Sequence, residues 1–380
     1  MSENKHTEYD LSQMQSLPLE AKIRMTKERI KTWYESWQRF EIKNSITGKI
    51  RFETIDTRDS FAEPKLKKNE IIESVMHGAV YVSFSGGKDS TVLKHIVDSM
   101  YDDVPSLFVN TGLEYPEIQK FAMSQKNVIV TRPEMRFDEV IKQYGYPIIS
   151  KSVALTIYYA RRGIAEGQKD SIYIRQLNGQ ALDSYGRKSL YNKEKWKYLL
   201  DAPFEISDAC CRVMKKKPAH QYEKVTGRVP IIGTLATESR NRTTQWTKHG
   251  CNAFDAKKPR SAPLSFWTEQ DILQYILKYD VPYCSIYGDI VSRNEECELN
   301  NHIESKCVYK TTGCERTGCI FCMFGVHLEK EPNRFQRLKE THPKQYQYCM
   351  GGGEMIDGKW QPNKDGLGLG KVLDYINVKY

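Results

Sequence analysis

A chain of 380 residues can bury one large core with an appendage, or form two domains. Its 57 basic residues exceed its 48 acidic ones by nine, an excess that suits an anionic small molecule and also permits nucleic acid. No apolar run reaches the roughly 18–20 residues of a membrane span, and the first residues lack the apolar stretch of a signal peptide. We therefore expect a soluble, cytoplasmic protein that does not contact a membrane.

The N-terminal region predicts a helical extension over residues 1–67. Residues 1–17 are polar and expected to be irregular, whereas apolar and aromatic positions from Leu19 to Phe40 recur at helical spacing. We expect this stripe to pack against the rest of the protein, and a partner surface is the alternative. Residues 68–76 are expected to form a short helix.

Residues 78–91 predict a buried strand, a tight glycine turn and the start of a helix. Gly86 and Gly87 have no Cβ, so their amides can approach an anion, and the helix N-terminus adds its positive dipole end. Hydroxyls surround the turn at Ser85, Ser90 and Thr91. The pattern indicates a polyphosphate site, although the spacing is not that of a Walker A loop and a plain connector is the alternative.

Strands and helices then alternate over 106–110, 116–125, 127–131 and 137–144. This alternation predicts an α/β fold with a doubly wound parallel sheet. Because ligands bind at the carboxyl ends of such strands, the turn at Thr111, Gly112 and Glu114 is expected beside the glycine turn. A simple strand-to-helix turn is the other interpretation.

Ser-Gly-Gly-Lys-Asp-Ser at 85–90 resembles the PP-loop of the ATP pyrophosphatase superfamily, and its setting is most similar to the phosphoadenosine phosphosulfate (PAPS) reductase branch. Four further elements carry the resemblance: 111–117, Ser150-Lys151, Glu238-Ser239-x-x-Arg242 and 263–272. It implies a Rossmann-like adenine nucleotide alpha hydrolase fold, with ATP, adenylylsulfate (APS) or PAPS bound and chemistry at the α-phosphate. Leu235 stands where the family has its first arginine, and Arg240 is a candidate replacement.

The resemblance also implies the roles of individual residues. Asp89 or Glu114 would recruit Mg²⁺, and Arg242 would stabilise charge at the α-phosphate. Lys88, Asp89 and Arg242 are the candidate catalytic residues. The candidate nucleotide-binding residues are Ser85, Gly86, Gly87, Lys88, Asp89, Ser90, Thr91, Thr111, Gly112, Glu114, Lys151, Glu238, Ser239 and Arg242. Lys151, Arg161 and Arg162 suit phosphate or sulfate oxygens, or else form a solvated face.

Four of the ten cysteines form a split set of thiols, Cys210-Cys211 and Cys319-x-x-Cys322. Four thiolates suit zinc or a 4Fe-4S cluster. The set resembles the cluster motif of iron–sulfur APS reductases, which implies 4Fe-4S with zinc as the alternative. Cys314 is an alternate ligand. The remaining cysteines at 251, 284, 297 and 307 are expected to be core or incidental.

The terminal Glu-Cys-Gly-x-His segment that carries the nucleophile of APS and PAPS reductases is absent. Cys349, followed by Met350 and three glycines, is the candidate nucleophile in its place. Residues 163–200, rich in Gly, Gln, Lys and Tyr, are expected to select the substrate or contact nucleic acid. The domain prediction is a PP-loop α/β domain over 68–290 and a cluster-binding C-terminal region over 291–380.

Three functional hypotheses remain. The first is ATP pyrophosphatase-type activation with sulfur transferred to an acceptor, possibly nucleic acid, because the chain resembles the ATP pyrophosphatase subunit of DNA phosphorothioation systems; a cysteine desulfurase would be its partner. The second is reduction of APS or PAPS to sulfite, with Cys349 as nucleophile and thioredoxin as donor. The third is a non-catalytic nucleotide-binding subunit. In each case an oligomer or a larger complex is expected.

Overall fold

The computed structural model of the protein describes residues 4–299 and 302–380, with the backbone alone at 294–299 and 302–307. The helices are α1 Glu8–Gln15, α2 Leu19–Glu35, α3 Lys88–Asp98, α4 Pro116–Ser124, α5 Phe137–Tyr144, α6 Lys151–Ala165, α7 Ile172–Leu177, α8 Ala209–Cys211, α9 Lys217–Thr226, α10 Arg240–His249, α11 Glu269–Lys278, α12 Arg334–Thr341, α13 Pro343–Met350 and α14 Leu369–Tyr375. The strands are β1 Trp37–Asn44, β2 Ile50–Asp56, β3 Glu70–His77, β4 Val80–Phe84, β5 Ser106–Val109, β6 Val128–Thr131, β7 Ile148–Ile149, β8 Val229–Ile232, β9 Asn252–Ala253, β10 Arg260–Ser261, β11 Ile290–Leu299, β12 His302–Thr311, β13 Met323–Phe324, β14 Glu354–Ile356 and β15 Lys359–Gln361.

The chain divides into two compact units. The first comprises Met1–Asn110, Tyr115–Thr131 and Ala219–Thr317, and the second comprises Thr111–Glu114, Arg132–Pro218 and Gly318–Tyr380. Both units are therefore discontinuous in sequence and cut across the three consecutive segments expected from the sequence. That functional division into 1–67, 68–290 and 291–380 stays a prediction.

A six-stranded sheet in the order β6-β5-β4-β8-β10-β9 lies at the centre of the first unit. The pairs from β6 to β10 are parallel, and only β9 runs antiparallel, beside β10. The predicted mixed α/β fold with a largely parallel sheet is confirmed. From β4 the chain first builds outward to β5 and β6 and later returns to place β8 on the other side of β4. Nucleotides bind at such a switch point, where strand order reverses.

Strand β4 is apolar almost throughout, with Val80, Tyr81, Val82 and Phe84 buried. Such a run is typical of a parallel strand covered on both faces. Helix α11 begins as predicted, since Thr268 caps it and forms a capping box with Asp271. Asp271 also accepts an ion-pair contact of 2.7 Å from the buried Lys22 of α2, which ties the N-terminal region to α11.

The N-terminal expectations are partly wrong. Residues 8–15 form α1, which Thr7 caps, rather than an irregular segment. Residues 70–77 form strand β3 rather than a helix, because β3 pairs with β1 in the antiparallel sheet β2-β1-β3 and its Ile71, Ile72 and Val75 are β-branched. The helix predicted from Leu19 to Phe40 ends at Glu35, and β1 and β2 follow it within the extension predicted to be helical. The apolar stripe of α2 packs into the core of the first unit, as expected.

In the second unit, β7 pairs with β13 in parallel and leads into α6, whose N-terminus is capped by Ser150. The guanidinium of Arg161 donates to the carbonyls of Leu199, Leu200, Ala202 and Phe204 at 2.6–3.1 Å. Arg162 pairs with Glu166. Arg161 therefore holds the backbone of the 199–204 segment, so neither the anion ligand nor the solvated face that the sequence suggested describes it.

Candidate nucleotide site and thiol pocket

The PP-loop of the first unit is closed by its own hydroxyls. Gly86 has a φ of +73°, a left-handed conformation that favours glycine. The Ser85 and Ser90 hydroxyls lie 3.0 Å apart, and those of Ser90 and Thr91 donate to the carbonyl of Gly87 at 2.9 and 3.0 Å. These bonds shape the turn that starts α3.

The amides of the first turn of α3 are the predicted anion donors of this loop. The first amides of a helix have no partner within it. The amide of Lys88 donates to the Tyr287 hydroxyl at 3.1 Å, whereas those of Asp89 and Ser90 have no acceptor within the described residues. A Cβ on Gly87 would lie 3.3 Å from both Tyr287 Oη and Thr317 Oγ1, so the backbone approaches these side chains closely.

The ammonium of Lys88 is already engaged. Its Nζ donates to the carbonyl of Glu315 at 2.7 Å and lies 2.9 Å from Glu269 Oε1. The side chain is buried. In this structure Lys88 therefore links α3 to the 313–317 segment and to α11.

Asp89 is the acidic group of the loop. Its Oδ1 is buried and has no hydrogen-bond partner among the described residues. Burial raises the pKa of this carboxyl, while Lys88, Arg316 and Arg242 oppose that rise. An oxygen placed in this way suits a cation ligand.

The Glu-Ser-x-x-Arg element follows β8 at the start of α10. Ser239 caps this helix, and Glu238 contacts the guanidiniums of both Arg242 and Arg316. Burial lowers the pKa of Arg242, and Arg316 lowers it further. Arg316, Tyr287 and Thr317 were not predicted as site residues. The glycine-flanked basic residue in Gly313-Cys-Glu-Arg-Thr-Gly318 was the available signal for Arg316.

The turn at Thr111–Glu114 belongs to the second unit. The amide and hydroxyl of Thr111 donate to the Glu114 carboxylate at 3.1 and 2.8 Å, and Lys215 Nζ lies 3.9 Å from Glu114 Oε1. Lys151, also in this unit, is exposed at the first position of α6. The nucleotide-binding roles of Thr111, Gly112, Glu114 and Lys151 stay predictions.

Four cysteines of the second unit line one pocket of about 260 Å³, part of which is open to solvent. We call it the thiol pocket. Its lining consists of Cys210, Cys211, Cys319, Cys322, Leu113, Phe137, Pro147 and Phe324. The pair at 210–211 lies on α8, and the amide of Cys322 donates to the carbonyl of Cys319 at 3.1 Å. The fold thus brings together the split set that the sequence predicts.

The thiol pocket holds its sulfurs in apolar surroundings. Burial raises the pKa of Cys319 to about 11 against the opposing charge of Lys215, and it also raises the pKa of Cys210 and Cys322. Within the described part of the chain, no group of three or more His, Cys, Asp or Glu side chains is already arranged as a metal-binding set. The four sulfurs nevertheless form a donor set that suits zinc or an iron–sulfur cluster.

The other cysteines have different surroundings. Cys314 lies in the first unit and does not line the thiol pocket, so its role as alternate ligand stays a prediction. Cys349, on α13, is 0% exposed, and burial raises its pKa well above the ordinary value. This environment disfavours a thiolate nucleophile. Cys251 and Cys284 are buried, and the side chains of 297 and 307 lie outside the described residues.

A sequence model of the phosphoadenosine phosphosulfate reductase domain matches residues 79–151 and 176–323, more than half of the chain. The chain belongs to this family. The resemblance to PP-loop enzymes of the PAPS reductase family is thereby confirmed. Membership in the PAPS reductase family indicates a nucleotide-binding enzyme connected with sulfur metabolism. No helix in the described ranges is long and apolar enough to cross a membrane.

Several other proteins are similar to this chain. Uncharacterized protein MJ0973 of Methanocaldococcus jannaschii is 23% identical over 79% of this chain and 56% of its own length. MJ0066 of the same organism is 22% identical over 70% of this chain and 39% of its own length. The chain thus spans about half the length of these two relatives or less. Sulfate adenylyltransferase subunit 2 of Shewanella amazonensis is 25% identical over 62% of this chain and 74% of its own length.

Among solved structures, the phosphate complex of PAPS reductase from Candida auris is similar to this chain. The sequence identity is 15%, the TM-score is 0.30, and the match covers 55% of this chain and 75% of the other.

Proposed function

We propose that this protein binds ATP at its PP-loop and joins the α-phosphate to an oxygen of an acceptor with release of pyrophosphate. Sulfur then displaces AMP from the activated acceptor. The observation that carries the proposal is a pair of amides, those of Asp89 and Ser90, that have no acceptor in the part of the chain that the structure describes. They lie at the N-terminus of α3, which follows β4 at the switch point of the sheet. Backbone amides and the helix dipole favour a phosphate there. The similarity to a sulfate adenylyltransferase subunit supports adenylyl chemistry.

Two side chains would serve the reaction. The buried Oδ1 of Asp89, for which the described residues offer no partner, suits Mg²⁺, whereas Glu114 accepts hydrogen bonds from Thr111. Mg²⁺ would offset the phosphate charge when bound. The guanidinium of Arg242 would stabilise negative charge at the α-phosphate.

We further propose that the thiol pocket holds a 4Fe-4S cluster, with zinc as the alternative. Cys210, Cys211, Cys319 and Cys322 would be the ligands. A cluster would supply electron or sulfur chemistry, whereas zinc would only hold the protein segments together. The protein's own residues exclude water on the sides formed by Leu113, Phe137, Pro147 and Phe324.

A second candidate function is reduction of APS or PAPS to sulfite with a thioredoxin-type donor. The match to the PAPS reductase domain favours it. The complete burial of Cys349 disfavours it, because a mobile nucleophile has to reach the nucleotide. Sulfur transfer, with a cysteine desulfurase as the source, is therefore our first choice. A non-catalytic subunit is the third.

Nucleic acid is the acceptor that we favour. Within residues 185–197, Tyr185, Leu190 and Tyr191 are strongly exposed, and Lys195 and Lys197 are exposed beside them in sequence. Exposed tyrosines stack on bases and lysines pair with phosphates. We call this segment the aromatic-basic surface.

The reaction is tested with protein purified anaerobically. We expect pyrophosphate from Mg²⁺ and ATP once an acceptor is added, and no sulfite from APS or PAPS with thioredoxin. If wild type forms sulfite and Cys349→Ala does not, the protein is a reductase of APS or PAPS instead. If neither product forms with a cysteine desulfurase and DNA or RNA present, the non-catalytic subunit is correct.

The acceptor is tested by fluorescence anisotropy with a labelled single-stranded oligonucleotide. Lys195→Glu combined with Lys197→Glu should weaken binding about tenfold or more and reduce its dependence on salt. Lys65→Glu combined with Lys67→Glu changes the same number of exposed lysines in the first unit and should leave binding near the wild-type level. Equal losses of oligonucleotide binding in both double variants would refute the proposal that the aromatic-basic surface binds nucleic acid.

A further inference from the structure

The position of Arg316 in the first unit is determined by its two neighbours in sequence. The carbonyl of Glu315 accepts from Lys88 Nζ at 2.7 Å. Thr317 Oγ1 lies 2.6 Å from the Tyr287 hydroxyl, which in turn accepts from the Lys88 amide at 3.1 Å. Arg316 is therefore held beside the first residue of α3, where the anion-binding amides begin.

The guanidinium of Arg316 shares a carboxylate with Arg242. One oxygen of Glu238 contacts Arg316 and the other contacts Arg242. Two guanidiniums on one carboxylate leave one positive charge in excess. The side chain of Arg316 is 65% exposed, so a ligand can reach it from solvent.

This arrangement accounts for the departure from the family pattern at Leu235. Leu235 is 4% exposed and packs in the core of the first unit, where an unpaired charge would be costly. Arg240, the replacement expected from the sequence, is exposed, and no ion pair of its side chain occurs among the described residues. Arg316, 81 positions after Leu235, instead supplies a second guanidinium to the Glu238–Arg242 pair.

We propose that Arg316 is a phosphate-binding residue of the nucleotide site and acts together with Arg242, an inference that rests on the proposed function. Its ligand is the polyphosphate of an adenine nucleotide. The planar guanidinium fork can bind two phosphate oxygens, whereas it now contacts a single oxygen of the Glu238 carboxylate. The Glu238 carboxylate then orients both arginines until phosphate binds to them.

The test compares ligands as well as variants, by calorimetric titration of the full chain. Mg²⁺-ATP, inorganic pyrophosphate and adenosine are titrated into wild type, Arg316→Ala, Arg316→Lys and the matched control Arg240→Ala. We expect Arg316→Ala to weaken ATP and pyrophosphate by about 10- to 100-fold, the usual effect of losing a charge-assisted hydrogen bond, and to leave adenosine unchanged. Arg316→Lys should recover part of the loss, and Arg240→Ala should match wild type.

The outcomes separate this inference from the proposed function. If wild type binds ATP and Arg316→Ala binds it equally well, the inference is refuted and the proposed function stands. The inference is also refuted if Arg240→Ala weakens ATP binding as much, or if Arg316→Ala also weakens adenosine binding. The effect on affinity would then come from a change in structure. If wild type binds none of the three ligands, both are refuted.

Discussion

The PP-loop of the first unit and the thiol pocket of the second are built in opposite ways. The loop takes its donors from consecutive residues, and its hydroxyls and its lysine already have partners in the protein. The pocket takes its sulfurs from two segments more than 100 residues apart and surrounds them with apolar side chains. Folding pairs the hydroxyls and the lysine of the loop, whereas it leaves the pocket with thiols that have raised pKa values.

This difference determines what each site requires. A neutral thiol has to lose its proton to become a metal ligand, so burial opposes thiolates until a positive centre binds. The thiol pocket should therefore depend on a metal or cluster for its stability. The loop should not, because its hydrogen bonds are internal.

The largest effect should come from removing two pocket ligands. Cys319→Ser combined with Cys322→Ser should lose most of the bound metal, measured as iron, zinc and sulfide in anaerobically purified protein, because two ligands cannot hold what four hold. Cys314→Ser is the matched control and should retain the metal. A loss in Cys314→Ser equal to that in the double variant would make Cys314 a ligand.

Gly86→Ala should damage the loop nearly as severely. The new Cβ would lie 3.0 Å from Ile118 Cγ2 at a φ of +73°. We expect a loss of about 1–3 kcal/mol in the free energy of unfolding by urea, and ATP binding at least about tenfold weaker. Gly186→Ala has a similar φ of +76° with open space around it and should leave ATP binding unchanged. Normal ATP binding by Gly86→Ala would contradict the loop's role.

Asp89→Asn should distinguish the binding of Mg²⁺ from the binding of the nucleotide. It should remove the Mg²⁺ dependence of ATP binding, and ATP without metal should bind at least as well as to wild type, because a negative charge has gone. Burial raises the pKa of Asp89, so its contribution to stability is present at low pH and lost as pH rises through the folded-state pKa. The variant should consequently be more stable than wild type at pH 7. At a pH below the ordinary pKa of an aspartate, variant and wild type should be equally stable. If the Mg²⁺ dependence of ATP binding is unchanged in the variant, Asp89 is not a ligand of the metal.

Cys349→Ala should have the smallest effect. The side chain is completely buried, so we expect a loss of about 1–2 kcal/mol in the free energy of unfolding from the cavity, with turnover retained. Pyrophosphate release per folded protein is the measurement. If the variant is stable but inactive, Cys349 is a catalytic residue.

Features set by neighbours in sequence could be predicted. The strand, glycine turn and helix of the PP-loop, the helix α5 and the Thr268 cap all depend on contacts within a few residues. Periodicity and capping report such contacts directly. The thiol set was also predictable, since cysteine spacing indicates ligation before any fold is known.

Features set by distant partners could not be predicted. Strand β3 forms because β1, some thirty residues earlier, offers it an edge, and Arg161 is occupied by carbonyls about forty residues later. The burial of Cys349 likewise depends on packing in the second unit.

The sequence by itself therefore determined the family, the parallel α/β sheet, the glycine turn and the identity of the four thiols, because each depends on residue type and short spacing. Only the tertiary structure decided that Arg316 joins Arg242 on Glu238 and that Lys88 is held by the 313–317 segment. It alone placed Thr111–Glu114 in the second unit. The physical reason is that long-range pairing and burial place a side chain in an environment that its neighbours in sequence do not specify.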